Sequence, residues 1–196
     1  MINVKKIRVT AGRFRSRTIE ILENKVARYT PSRVREAIFN IIGDVEGKTV
    51  LDLFAGSGLF SIEAMSRGAA SATLVEQDRE MYALIQRNLE SLSLLSSSEV
   101  LHMEVRLALP FLYKKDAKYD IIFLDPPYDK GYVSETTALL RDYQVYGPTT
   151  LFVVEHSKRE LCGSSESAGE KGAFTRRYGN TCVTICGPRD LTKRSS

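Results

Sequence analysis

The chain has no tryptophan, two histidines and three cysteines among its 196 residues. Cys182 and Cys186 fall on one face of a predicted strand, about 13 Å apart at roughly 3.3 Å per residue, which is beyond disulfide reach. Cys162 stands alone, and His102 and His156 are isolated. No cluster therefore has metal-ligand spacing, and both histidines read as structural. No apolar run approaches the roughly 20 residues that span a bilayer, and Met1–Lys6 does not open the apolar core of a signal peptide. These absences predict a soluble, cytoplasmic protein with neither metal nor disulfide.

What the chain does have is charge, unevenly placed. The net charge is +4, yet residues 1–40 carry ten Lys or Arg against three Glu, while the remainder carries 18 basic and 21 acidic residues. A basic segment on a near-neutral body is the footprint of a phosphate-binding surface, or of a solvated face. The length suits one full-sized domain with small appendages.

Residues 1–23 predict two short strands, KIRVT and RTIEI, joined by AGRFRS with Gly12 at the bend. Thr30-Pro31 predicts a helix start, with a hydroxyl N-cap and proline at the first helical position. Val34, Ala37, Ile38 and Ile41 follow at helical spacing, and Gly43 ends the segment. From residue 48, apolar runs alternate with amphipathic helices. The strands are TVLDLF, SATLVEQD, a weaker EVLHMEV, YDIIFLDPPY and TTLFVVEH. Between them lie SGLFSIEAMSRG, REMYALIQRNLESL, LALPFLYKK and VSETTALLRDY, the second presenting Met81, Leu84, Ile85, Leu89 and Leu92 on one face. Strands apolar enough to be buried on both sides and separated by helices predict a parallel, doubly wound α/β sheet. Phe174 to Cys186 predicts a hairpin about Gly179-Asn180. LSLLSSSE (92–99) and CGSSESAGEKG (162–172) read as loops, and LTKRSS as a frayed end. The organisation expected is a basic extension over 1–44, a catalytic domain over 45–189 and a basic tail over 190–196.

VLDLFAGSGLFSIEA places Asp52, Gly56 and Gly58 at the carboxyl end of the first α/β strand, where open sheets bind ligands. Ser61 holds the third position of G-x-G-x-x-G, so the dinucleotide fingerprint is incomplete. Eighteen residues beyond Gly58, Glu76 ends the next strand, where a carboxylate accepts both hydroxyls of a ribose. The pair indicates nucleoside binding and leaves a nicotinamide cofactor open.

IFLDPPYDK narrows the chemistry. An exocyclic amine on a nucleobase has its lone pair delocalised into the ring, so it attacks poorly until acceptors hold its hydrogens in pyramidal geometry. Asp125 and the Pro126 carbonyl are two such acceptors. Pro126 and Pro127 lack N–H groups and fix φ, which aims that carbonyl outward instead of into a ladder. Tyr128 offers a ring to stack on a base drawn out of its helix.

The combination of D-x-F-A-G-S-G, a Glu ending the second strand and D-P-P-Y ending the fourth resembles S-adenosylmethionine-dependent methyltransferases that modify exocyclic amines. With R-Y-T-P-S-R-V-R-E-A-I-F-N (28–40), G-R-F-R-S-R before it and R-Y-G-N-T near the end, the chain is similar to the RsmD family across about residues 6–187. Those enzymes methylate N2 of a guanine in bacterial 16S ribosomal RNA. The resemblance implies a Rossmann-like class I fold, a mostly parallel seven-stranded sheet with a C-terminal antiparallel hairpin, and a small N-terminal hairpin and helix. It implies S-adenosyl-L-methionine as cofactor, with Asp52, Phe54, Ala55, Gly56, Ser57 and Gly58 lining the methionine and ribose end. Glu76 and Gln77 would hold the ribose, and Glu104 lie near the adenine. Asp125, Pro126, Pro127 and Tyr128 would receive the guanine. The partner implied is 16S ribosomal RNA or the small subunit, met by a monomer through Arg13, Arg15, Arg17, Arg28, Arg33 and Arg35. Tyr29 departs from the proline expected in R-P-T. Methylation of adenine N6 or cytosine N4, a non-catalytic RNA-binding assembly factor and a nicotinamide oxidoreductase are the alternatives.

Overall fold

The apolar runs fold as one mixed sheet, in a computed structural model that describes residues 4–22, 29–160 and 173–191. The flexible loop expected at 162–172, with Cys162, lies outside the described residues, as do Arg28 and the end of the tail. In chain order the elements are β1 (Val4–Arg8), β2 (Thr18–Leu22), α1 (Ser32–Ile42), β3 (Thr49–Asp52), α2 (Leu59–Ser66), β4 (Ser71–Glu76), α3 (Arg79–Ser91) and β5 (Ser98–His102). They continue with α4 (Val105–Lys114), β6 (Tyr119–Leu124), α5 (Tyr132–Asp142), β7 (Tyr146–Ser157), β8 (Phe174–Tyr178), β9 (Thr181–Cys186) and α6 (Pro188–Leu191).

The sheet order is β5-β4-β3-β6-β7-β9-β8, with a separate antiparallel β1-β2 pair. β3 pairs in parallel with β4 on one side and β6 on the other, so the winding reverses at β3. Only β9 and β8 run antiparallel, β9 against β7 and β8 against β9. The carboxyl ends of β3, β4 and β6 therefore meet at a topological switch point, the crevice in which such sheets bind ligands. Central strands carry Val, Ile, Leu and Phe on both faces because helices cover both. One core layer joins Val50, Leu74 and Phe123 to α2, α3 and the N-terminal segment; the other joins Leu51, Ile122 and Val154 to α4 and α5.

All eight residues of α2 are buried. A helix buried on every side has no solvent face, and here the N-terminal segment covers the side turned away from the sheet, with donors for Glu63 and Ser66. Gly12 makes the approach: at φ +78°, a Cβ there would stand 1.8 Å from the Ser66 carbonyl oxygen. Arg13 N–H donates to that carbonyl at 2.7 Å, and Phe14 N–H to Ser66 Oγ at 3.0 Å. The first strand ends earlier than KIRVT suggests, because Thr10 leaves the ladder to give both its N–H and its hydroxyl to Glu63 of α2.

Three other expectations shift. Helix α1 is capped by Pro31, whose carbonyl accepts Val34 and Arg35 N–H, and the Thr30 hydroxyl binds a carboxylate instead. Strand β5 stops at His102, since Glu104 caps α4 and Val105 already belongs to that helix. The Ser-rich stretch contains a 3-10 turn at Leu95–Ser97, and its Ser98 starts β5.

Candidate active site

The chain leaving β3 crosses the switch point under tight backbone control. Leu53 N–H donates to Phe123 O at 3.1 Å and Ala55 N–H to Val75 O at 3.0 Å, so the loop is pinned across the ends of both neighbouring strands. Gly58 then turns it into α2 at φ +77°, and a Cβ there would press on Leu74 at 3.2 Å. From α3, Asn88 Nδ2 donates to Ser57 O at 3.0 Å.

Glu76 ends β4 with one oxygen on each flank. Oε2 accepts Gly56 N–H at 2.8 Å and Oε1 accepts Asp78 N–H at 2.7 Å, while burial pushes the carboxyl above its ordinary range. Asp78 in turn caps α3 by accepting Glu80 and Met81 N–H. A cavity of about 750 Å³ opens above these groups, a size typical of small-molecule sites. Its wall runs from Phe54–Ser57 and Glu76–Asp78 to Asp125–Lys130, with Met103, Val105 and Leu139 supplying apolar surface. An added Cβ at Gly56 would meet nothing within 4 Å, so the backbone of the loop is open to a ligand.

Most predicted site residues meet here. Phe54, Ala55, Gly56, Ser57, Glu76, Gln77, Glu104 and the whole Asp125–Tyr128 tetrapeptide line the cavity. Asp52 and Gly58 do not, which corrects the expectation that they line the cofactor end. The Asp52 side chain is buried behind the loop and accepts the Ser61 hydroxyl at 3.0 Å, which explains the serine in place of the third glycine. Burial, with Glu76 adding to it, pushes the Asp52 carboxyl up to about 7. Glu104 is at the mouth, paired with Arg106, which holds its carboxyl below the usual range.

The tetrapeptide leaves β6 facing two other acids. Burial, then Glu155 and Asp52, hold the Asp125 carboxyl well above its ordinary range. The Tyr128 hydroxyl donates to Glu155 Oε1 at 2.8 Å and lies 3.1 Å from Thr181 Oγ1, so the ring is fixed at its far end. Glu155 is the residue sequence reasoning missed. Its signal was present: it is an acid near the carboxyl end of a buried strand, as Asp52, Glu76 and Asp125 are. Tyr29, Thr30 and Tyr132 also line the cavity, Tyr132 packing its ring 6.0 Å from Phe54.

The predicted RNA contacts separate. Arg33 is exposed in the first turn of α1, next to the cavity-lining Thr30. Arg35 is fully buried: its Nε lies 3.4 Å from Glu63 Oε2, and its other nitrogens donate to Thr30 O at 3.1 Å and Arg8 O at 2.9 Å. It cannot reach RNA, and that expectation is corrected. Arg13, Arg15 and Arg17 are exposed but sit at the opposite edge of the sheet, against the carboxyl ends of α2 and α3, where Arg17 donates to Ser91 O at 3.3 Å. Over the 13 residues of α3 that is about 20 Å from the cavity edge at 1.5 Å per residue.

His102 stacks on Tyr82 at 4.8 Å, and His156 is buried between Ser157 O and Thr184 Oγ1. Among the described residues no group of three His, Cys, Asp or Glu is placed to hold a metal, and no helix is long and apolar enough to cross a membrane.

The geometry has counterparts among known proteins. A family profile described as "Conserved hypothetical protein 95" matches residues 7–187. Ribosomal RNA small subunit methyltransferase D of Escherichia coli (strain K12) is 36% identical over 151 residues, 76% of this chain and 74% of that protein. The solved structure of YhhF from Escherichia coli is similar at a TM-score of 0.75 and 28% identity, over 96% of this chain and 100% of that one. The T. thermophilus 16S rRNA guanine-N2 methyltransferase RsmC, solved with AdoMet and guanosine, shares the fold at a TM-score of 0.70 and 21% identity, over 95% of this chain and 51% of that one.

Proposed function

Because the chain belongs to the RsmD family, that of ribosomal RNA small subunit methyltransferase D, we propose that it methylates the exocyclic N2 amine of a guanine in 16S ribosomal RNA. The methyl donor is S-adenosyl-L-methionine. The observation that carries this reading is that one cavity joins the glycine loop and Glu76 to the Asp125–Tyr128 tetrapeptide.

The residues fit the cofactor. Glu76 presents a carboxylate to a ribose, the open backbone at Gly56 admits a close ligand, and Phe54, Met103 and Val105 offer apolar surface to an adenine. When bound, the cofactor supplies a methyl group carried on a cationic sulfur. Burial holds the Asp52, Asp125 and Glu155 carboxyls above their ordinary range, and a cationic ligand beside them would favour their ionised forms and be favoured by them in return.

Asp125 and the Pro126 carbonyl accept the two amine hydrogens and turn the nitrogen lone pair out of the ring. Tyr128 stacks on the base and holds it for in-line attack, so catalysis is mainly positioning. Bound here, the cofactor would give its methyl group to that nitrogen and keep the electron pair of the broken bond on its sulfur. The nitrogen, then cationic, passes its proton to Asp125 or to water. No step calls for a metal. The enzyme acts in the cytoplasm as a monomer on 16S ribosomal RNA or the small subunit, with Arg33 meeting phosphates beside the cavity.

The test is Asp125→Ala. Loss of one aligned polar group at a reacting centre costs on the order of 10²–10³ in kcat, and Glu76 leaves cofactor affinity intact. Unchanged turnover would remove Asp125 from the mechanism.

A further inference from the structure

Glu155 sits near the end of β7, 5% exposed, outside the cavity wall and directly behind it. A carboxylate so placed is costly unless hydrogen-bonded, and each of its oxygens takes a hydroxyl from a different part of the chain. Oε1 accepts Tyr128 and Oε2 accepts Thr30, both at 2.8 Å. Tyr128 closes the tetrapeptide that receives the base. Thr30 immediately precedes the Pro31 cap of α1, and its carbonyl is gripped by buried Arg35 at 3.1 Å. Just before it, the Tyr29 hydroxyl spans the N–H and carbonyl of Leu22 in β2, at 2.9 Å each. The path from β2 through Tyr29 and Thr30 to Glu155 and Tyr128 is thus continuous.

We propose that Glu155 is a positioning residue: it sets the Tyr128 ring against the target base and locks that ring to the N-terminal segment carrying Arg33. RNA held by the start of α1 and the base held by Tyr128 are thereby kept in fixed register. This deepens the methyltransferase reading and rests on the assignment of Tyr128 as the stacking residue. A 1 Å misplacement of a reacting group is enough to cost about 10²-fold, so loss of the anchor appears in kcat, leaving the KM for S-adenosyl-L-methionine unchanged.

The same geometry yields a readout that a merely structural role would not move. Asp125 is faced by Glu155 from β7 and Asp52 from β3, with Tyr128 on its own loop and His156 next to Glu155. Turnover needs ionised Asp125, so the acid limb of kcat follows its raised pKa. Removing the Glu155 charge lowers that pKa and moves the limb to lower pH.

The experiment compares the full-length wild type with Glu155→Gln, Tyr128→Phe and Thr30→Val, using small-subunit ribosomal RNA and labelled S-adenosyl-L-methionine. Tyr128→Phe keeps the ring and loses the anchor. The expected result is a fall in kcat of about 10- to 100-fold for Glu155→Gln and Tyr128→Phe, an acid limb displaced downward in Glu155→Gln, and a double variant no worse than the poorer single one. Should Glu155→Gln fail to fold, Tyr128→Phe and Thr30→Val carry the test, their losses being non-additive because they share one anchor. Wild-type transfer with variant kcat and pH limb unchanged overturns this inference alone. No transfer by the wild type overturns the methyltransferase reading and this inference with it.

Discussion

Replacing Arg35 by methionine separates a phosphate contact from a buried tie. The guanidinium is 0% exposed and spends its donors on Glu63, Thr30 O and Arg8 O. Glu63 is a hub, also accepting Thr10 N–H at 2.9 Å, Ala11 N–H at 3.1 Å and Arg67 Nε at 3.0 Å. Burial by itself would raise the Glu63 carboxyl, but the donors from Thr10 and Arg67, with the Arg35 charge, hold it below its ordinary range. Methionine keeps much of the apolar volume and leaves two carbonyls without their donor. Removing one partner of a buried pair costs about 3–5 kcal/mol, and the donors remaining on Glu63 favour the lower end. At about 2–4 °C per kcal/mol for a chain of this size, Tm falls by roughly 6–20 °C. Circular dichroism melts measure this, alongside RNA binding below the transition, where affinity should match the wild type. An Arg35→Met protein with wild-type Tm and weakened RNA binding would refute the buried assignment.

Asp52, raised to about 7, keeps its proton in the folded state where the unfolded chain has lost it above about pH 3.9. Its contribution thus favours folding at low pH, declines as pH rises and levels off above 7. Urea titrations should show the wild type losing about 2.3 kcal/mol relative to Asp52→Asn between pH 5 and 7, and parallel curves would contradict the buried titration. Arg33→Ala should weaken RNA binding at every sequence and reduce the slope of log K against log salt by about 0.7–0.9. An unaltered slope would take Arg33 off the RNA.

Local signals carried most of the fold and one half of the site. Apolar runs such as TVLDLF and YDIIFL could be read as central strands because burial on both faces writes itself into consecutive residues. The acids Glu76 and Asp125 were legible because each follows a strand whose end is marked in sequence. Arg35 was not, since it follows Val34 on an amphipathic helix and its partner Glu63 lies 28 positions away on α2. Arg13, Arg15 and Arg17 look contiguous with Arg33 along the chain. The hairpin loop rests at the far end of α2 and α3, whereas the first turn of α1 adjoins the cavity, so chain proximity did not become spatial proximity. Glu155 is legible in TTLFVVEH only through the pattern that β3, β4 and β6 share, an acid of consequence at or just beyond the carboxyl end of a buried strand.

The most direct test incubates the protein with labelled S-adenosyl-L-methionine and, in separate reactions, free small-subunit ribosomal RNA, unmethylated small subunits and duplex DNA, followed by nucleoside analysis. The account predicts label as N2-methylguanine in ribosomal RNA. Label found only as N6-methyladenine in DNA would contradict it.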